Sequence, residues 1–153
     1  MRTAWFLALT MVSAGCSGAQ GSTVEQATPP SIAPGPAVPV SLRIDRVSEL
    51  DEVSGEPPHD RVTLVVGDRE VDLGEHDNCG GGGSSLAPAG AQELDGALCW
   101  WAGAGDVISV WREGDEVVAA VMGQTEEEGN VEPVELARIP IPPDARVVEG
   151  PDR

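Results

Sequence analysis

One short stretch of the sequence gathers the side chains best suited to bind a metal ion. His76 lies in DLGEHDNC together with Asp72, Glu75 and Asp77. Hard cations such as Ca²⁺ need several oxygen atoms that converge from one loop. The spacing matches neither the EF-hand loop nor the glycine-rich calcium repeat, and a solvated turn explains the same residues. We therefore predict no metal ion and no other cofactor, and these four residues are the ligands to examine if a metal does bind.

Motifs of the common enzyme classes are missing from the chain. It contains neither a G-x-S-x-G elbow nor an H-E-x-x-H zinc motif. It also contains no lysine, which excludes a P-loop and a Schiff base. A pair of catalytic carboxylates could stand among the 26 acidic residues, but no spacing singles one out. The sequence predicts that the protein is not an enzyme, and a hydrolase or metal-dependent enzyme is the weakest of three hypotheses.

The N-terminal residues have the pattern of a secretory signal. Arg2 supplies a positive charge, and residues 4–14 form an apolar stretch of eleven residues. That length fits the hydrophobic region of a signal peptide and is too short to span a bilayer. We therefore expect export of the chain and removal of residues 1–15.

The signal ends in SAGC, which resembles the lipobox of bacterial lipoproteins. The resemblance covers this segment alone and departs from the family pattern at Ser13, where leucine is typical. It implies cleavage before Cys16, acylation of that cysteine and a membrane contact made through the lipid. Ser17 follows where an aspartate would favour the inner membrane in these lipoproteins, so we expect the outer membrane, with the domain facing the periplasm or the surface. Cleavage after Ala19 is the alternative and would give a soluble periplasmic or secreted protein.

Net charge limits the partners of the exported chain. The sequence has 26 acidic and nine basic residues, and its formal charge is −17. Such a surface repels nucleic acid and anionic head groups, so we expect neither as a direct partner. A glycan or a cationic protein remains a possible partner. The first hypothesis is therefore an envelope lipoprotein that binds or scaffolds, and the second is an acidic inhibitor of a cationic enzyme such as a lysozyme.

The remaining cysteines, Cys79 and Cys99, form an even pair in an exported protein. They enclose a glycine-rich segment that has little means of ordering itself. A disulfide there would contribute about 3 kcal/mol by constraining the unfolded chain. A metal-ligand pair or a reactive thiol is the alternative, but no C-x-x-C motif is present. In an oxidising compartment the disulfide is the predicted state.

Hydropathy patterns divide the mature chain into a linker and a β-domain. Residues 16–39 are rich in proline, glycine and serine and are predicted to be a disordered linker. Residues 40–148 contain short apolar runs separated by turns, among them Gly67-Asp68 and Gly114-Asp115. Residues 134–143 are predicted to form an edge strand because of their prolines, and residues 149–153 a tail. The sequence thus predicts an all-β domain with little helix, either a small antiparallel β-sandwich or a partly open barrel.

Two adjacent tryptophans, Trp100 and Trp101, must point to opposite faces of one strand. If residues 97–101 pair with residues 106–110, Trp100 shares its face with Trp111. The first face then carries Cys99, Trp101, Ile108, Val110, Val117, Ala119 and Val121, and the second carries Leu98, Trp100, Val107, Trp111, Val118, Ala120 and Met122.

Both faces of this predicted sheet are apolar, which leaves two interpretations. Either both are covered, or Trp100 and Trp111 form an exposed shelf that stacks on sugar rings or anchors a protein. A domain of this size has difficulty covering both faces of one sheet. We expect Trp101 in the core and Trp100 to be the more exposed of the pair.

Overall fold

Ten β-strands form two sheets in the computed structural model, which describes residues 34–127 and 129–150. The predicted signal peptide, the lipidation site Cys16 and most of the predicted linker lie outside the described residues. Sheet A contains, in spatial order, β10 (Arg146–Glu149), β1 (Ala37–Ser48), β2 (His59–Val66) and β3 (Arg69–Asp77). Sheet B contains β4 (Cys79–Gly81), β5 (Gln92–Trp101), β6 (Ala104–Glu113) and β7 (Glu116–Thr125), beside which lie β8 (Gly129–Asn130) and β9 (Val134–Pro140).

The two sheets bury one aliphatic core between them, as alternating strands with one face inward do. Its fully or nearly buried members come from both sheets and include Val40, Val62, Leu64, Val66, Leu73, Ala97, Ile108, Val110, Val117, Ala119 and Ile139. The all-β sandwich predicted from the sequence is confirmed, since the strands form two separate hydrogen-bonded sheets rather than one barrel. Within the described residues, no helix is long and apolar enough to cross a membrane.

The tryptophan strand β5 pairs with β6 in a register two residues away from the predicted one. Ala97 lies opposite Ile108, and Trp101 lies opposite Ala104. A shift by an even number of residues leaves every side chain on the same face. The predicted division of β5, β6 and β7 between an inner and an outer face is therefore confirmed.

The predicted turns at Gly67-Asp68 and Gly114-Asp115 are also confirmed. Both glycines have a positive φ, +63° and +60°, a backbone conformation that would be strained in a residue with a side chain. The predicted edge strand corresponds to β9, which pairs only with β7 and ends at Pro140.

The ends of the domain differ from the prediction. β1 begins at Ala37, three residues before the predicted boundary at residue 40. The extra residues pair in parallel with β10, which we did not predict. β10 has four residues, and a run that short gives no measurable alternation in a sequence.

The outer faces of the two sheets have different chemistry. On sheet A, Arg43 binds Glu70 at 2.7 Å and Arg61 binds Glu75 at 2.6 Å, so this face is charged and solvated. The outer face of sheet B is apolar. One part of it is covered by the segment between β4 and β5, and another part is open.

Candidate functional site

A disulfide lies at the centre of the candidate site. Cys79 on β4 stands directly opposite Cys99 on β5, and the structure joins their sulfur atoms. The predicted Cys79–Cys99 pair is thus present. It ties the first residue of β4 to β5 and closes the glycine-rich segment into a loop, so the strands beneath the site are held together covalently.

That loop, residues 82–91, folds back over the outer face of sheet B. Trp111 packs with Val118 and Ala120 on the sheet, and the loop adds Leu86 above them. Trp111 is consequently only 7% exposed. Of the two interpretations of this face, the exposed shelf therefore does not hold at Trp111, because a loop without hydrophobic periodicity covers it.

One buried hydroxyl fastens the loop to the sheet. Ser109 on β6 accepts a hydrogen bond from the backbone N–H of Leu86 at 3.0 Å and donates one to the carbonyl of Ser84 at 3.2 Å. Sequence reasoning missed Ser109. Its signal was a single hydroxyl inside the apolar run VISVW, a polar group that must find a partner when it is buried.

The open part of this face is a shallow depression of about 360 Å³, which we call the Trp100 surface. Its lining consists of Asn78, Cys79, Gly80, Gly81, Leu98 and Trp100. Leu98 is 39% exposed, and Trp100 beside it is partly exposed. Gly80 and Gly81 add no side chains, so the depression is open above them. Asn78 donates from Nδ2 to the carbonyl of Trp100 at 3.2 Å and thereby closes one end.

Trp101 faces inward, yet it is only partly buried. The prediction of a core position for Trp101 is wrong to this extent. It is the last residue of β5 and lies beside the turn of Ala102 and Gly103, where the sandwich opens. There it lines a cleft of about 210 Å³ together with His76 and Asp106.

In this cleft His76 joins the two sheets. Its Nδ1 lies 2.8 Å from Oδ2 of Asp106, and its Nε2 lies 3.4 Å from the carbonyl oxygen of Leu73. Both ring nitrogens thus have partners within the protein. Among the described residues that line the cleft there is no hydroxyl group, and the one sulfur, of Cys99, is in the disulfide. The cleft therefore lacks the nucleophile that a histidine–aspartate pair would activate.

Glu75 and Asp77 diverge from His76 because neighbouring residues on a strand point to opposite faces. Asp72 is turned away by the β-bulge that lies between Asp72 and Gly74. Glu75 and Asp72 turn to Arg61, at 2.6 and 3.9 Å. Asp77 binds Nδ1 of His59 at 2.8 Å. In the described part of the chain, no three histidine, cysteine or acidic side chains are placed to hold one metal ion.

No known protein family has a model that matches this chain, and no curated protein or solved structure is significantly similar to it.

Proposed function

We propose that this chain is a lipid-anchored protein of the bacterial cell envelope whose β-sandwich binds a partner without catalysis. The observation that carries the proposal is the Trp100 surface. Leu98 and Trp100 lie side by side on an open face, next to Gly80 and Gly81 of the neighbouring strand β4. Exposed apolar patches of this kind mark binding sites, and tryptophan is among the residues that contribute most to binding energy. The disulfide beside the patch keeps it in shape before the partner arrives, which reduces the entropy lost on binding.

The lipid anchor is supported by the signal-like N-terminus and its SAGC ending. Mass spectrometry of the membrane fraction tests it. We expect a mature N-terminus at Cys16 that carries acyl chains, and a Cys16→Ser variant that is not acylated. An unmodified N-terminus at Gln20 in the soluble fraction would contradict the anchor and leave the binding proposal intact.

Binding at the Trp100 surface is tested with a matched pair of leucines. Leu98 and Leu136 both lie on sheet B and are 39% and 37% exposed, but only Leu98 lines the depression. The probe is purified peptidoglycan sacculi, with cationic egg-white lysozyme as a second probe. We expect Leu98→Ser and Trp100→Ala to weaken the binding of one probe about tenfold and Leu136→Ser to leave it unchanged. Equal loss in all three variants, or no binding by the wild-type chain, would refute the proposal.

The acidic inhibitor is a second candidate, which a separate loop favours. Val53, between β1 and β2, is 97% exposed. Asp51 orders this loop, because its Oδ1 accepts the N–H of Val53 at 2.8 Å and its carbonyl accepts that of Gly55 at 2.7 Å. A hydrogen-bonded loop that exposes Val53 and Leu50 among acidic neighbours is suited to a cationic enzyme with an apolar pocket.

An inhibition assay separates this candidate from the first. If the chain inhibits egg-white lysozyme through this loop, Val53→Ser removes the inhibition and Trp100→Ala does not. The reverse result assigns the contact to the Trp100 surface. Full lysozyme activity at a large excess of the wild-type chain excludes the inhibitor.

A further inference from the structure

Trp111 carries a buried donor that has no partner. Of the buried side-chain nitrogen and oxygen atoms in the described residues, Nε1 of Trp111 is the one without a hydrogen bond. An unsatisfied buried donor costs about 1–3 kcal/mol, and native proteins retain few of them. This one lies beneath the loop of residues 82–91, on the face that also carries Trp100.

The loop that covers Trp111 is weakly attached and begins and ends with flexible residues. Gly82 and Gly83 have φ values of +100° and +128°, and Gly90 has +86°. The loop is tied to the sheet by the Gly82 N–H, which donates to the carbonyl of Gly96 at 2.9 Å, and by the two hydrogen bonds of Ser109, and Leu86 is its largest side chain that packs on the sheet. Segments with few buried apolar contacts open at a small fraction of the cost of global unfolding.

The covered and open parts of the face are continuous. Val107 of β6 lies opposite Leu98 on the face that carries Trp100 of β5 and Trp111 of β6, and a Cβ at Gly83 of the loop would lie 3.6 Å from its side chain. We infer that residues 82–91 are a lid, and that lifting it joins Trp111 to the Trp100 surface as one groove that binds a neutral glycan chain. This inference rests on the proposed binding function and extends it to a ligand class and a second contact.

The charges around the groove disfavour an anionic ligand. The strands of sheet B contain two arginines, Arg112 and Arg138. Arg112 is bound to the backbone carbonyl oxygens of Gly114 and Ala145. Arg138 is held by three glutamates, whose hydrogen bonds raise its pKa. Neither arginine is free to pair with a phosphate or a carboxylate.

A sugar ring satisfies what the groove does offer. Its C–H face stacks on a tryptophan ring, and a hydroxyl or acetamido oxygen accepts the indole N–H of Trp111. The ligand thereby accepts the hydrogen bond that the indole N–H of Trp111 lacks while the lid is closed. It can do so only after the lid has moved.

The first experiment measures lid opening without any ligand. Hydrogen exchange of the Trp111 indole N–H is followed by NMR in the mature chain. Gly90→Ala places a side chain at φ +86° in open space, which strains the closed lid; Gly55→Ala does the same at φ +75° in a distant loop. We expect Gly90→Ala to speed the exchange about tenfold and Gly55→Ala to leave it unchanged. Exchange as slow as that of the Val110 amide in every variant would overturn the lid.

The second experiment uses chitotetraose, a soluble neutral glycan, as the probe. We expect it to shift the indole resonances of both Trp100 and Trp111 and to bind about tenfold more weakly to Trp111→Phe, which keeps an aromatic ring, although a smaller one, and removes the donor. A shift of Trp100 alone would overturn this inference and leave the proposed function standing. No shift of either resonance would also overturn it, while binding of the sacculi or of lysozyme decides the proposed function separately.

Discussion

The backbone N–H of Cys79 donates a hydrogen bond of 2.6 Å to the carboxylate of Asp60. Asp60 belongs to sheet A and is 1% exposed, whereas Cys79 begins the first strand of sheet B. The second carboxylate oxygen accepts the Nε–H of Arg46 at 2.6 Å. One buried carboxylate thus links the disulfide of sheet B to two strands of sheet A. It also holds Cys79, which lines the Trp100 surface, in place.

Removal of this carboxylate should destabilise the domain. Asp60→Ala leaves the Cys79 N–H without its acceptor and Arg46 without its buried partner, and we expect a loss of about 2–4 kcal/mol. Asp60→Asn keeps an acceptor and loses the charge, so its loss should be about half as large. Urea denaturation measures both, with exposed Asp45→Ala as the control. Similar midpoints for Asp60→Ala and Asp45→Ala would contradict this role.

Reduction of the disulfide should lower stability and loosen the lid. A Cys79→Ser/Cys99→Ser chain loses the constraint on its unfolded state, worth about 3 kcal/mol for a loop of this length. Guanidinium denaturation measures the loss, and acrylamide quenching of tryptophan fluorescence, carried out in a Trp100→Phe/Trp101→Phe background, reports the exposure of Trp111 in the mature chain. The wild-type chain with reductant should match the double variant. Unchanged denaturation and quenching after verified reduction would show that the covalent bond does not stabilise this region.

The partial exposure of Trp101 leads to an unusual order of stabilities. Ile108, on the same face, is fully buried, and its replacement by alanine should cost about 2–5 kcal/mol. Only part of the Trp101 side chain is removed from water on folding. Trp101→Ala should therefore lower the free energy of unfolding by about 1–3 kcal/mol, although tryptophan is the larger side chain. Chemical denaturation ranks the two variants. A larger loss for Trp101→Ala would mean that the cleft is closed in solution.

The loop that presents Val53 should depend on pH. The pKa of Asp51 is lowered, first by the backbone N–H of Val53 and then by Ser54. Because the folded pKa lies below the unfolded one, the stabilisation is complete above the ordinary aspartate pKa and is lost as the pH falls through the lowered value. An NMR titration of the Val53 amide should show this transition. Asp51→Asn keeps the acceptor without the titration, and a transition that persists in it would assign the effect to another group.

The two-residue period of the sequence was sufficient to predict the faces of β5, β6 and β7. Cys99 and Ile108 alternate with Leu98 and Val107, and a register error of two residues did not disturb that assignment. The disulfide could be predicted because only Cys79 and Cys99 remain once Cys16 is assigned to the predicted lipid anchor. These inferences depend on local pattern and on pairing, both of which are properties of the sequence.

The cover over Trp111 could not be predicted in the same way. A loop of glycine, serine and alanine has no period, and its position depends on one hydrogen-bonded hydroxyl, that of Ser109, and on the packing of Leu86. Asp60 resembles every other acidic residue in the sequence, and only the tertiary fold buries it. Long-range contacts of this kind are set by the packing of elements that are distant in the sequence.

The direction in which β1 runs decides how the domain responds to a pulling force. The chain enters the sandwich at Ala37, beside the turn of Gly67, and β1 runs for 12 residues toward the end that holds Trp100. At about 3.3 Å per residue this distance is roughly 40 Å. Tension between an anchor before Ala37 and a partner on Trp100 is therefore directed along β1. The hydrogen bonds of β1 to β2 and β10 lie across that direction. They are loaded in shear and must yield together, so the domain would resist a force that pulls on the chain before Ala37.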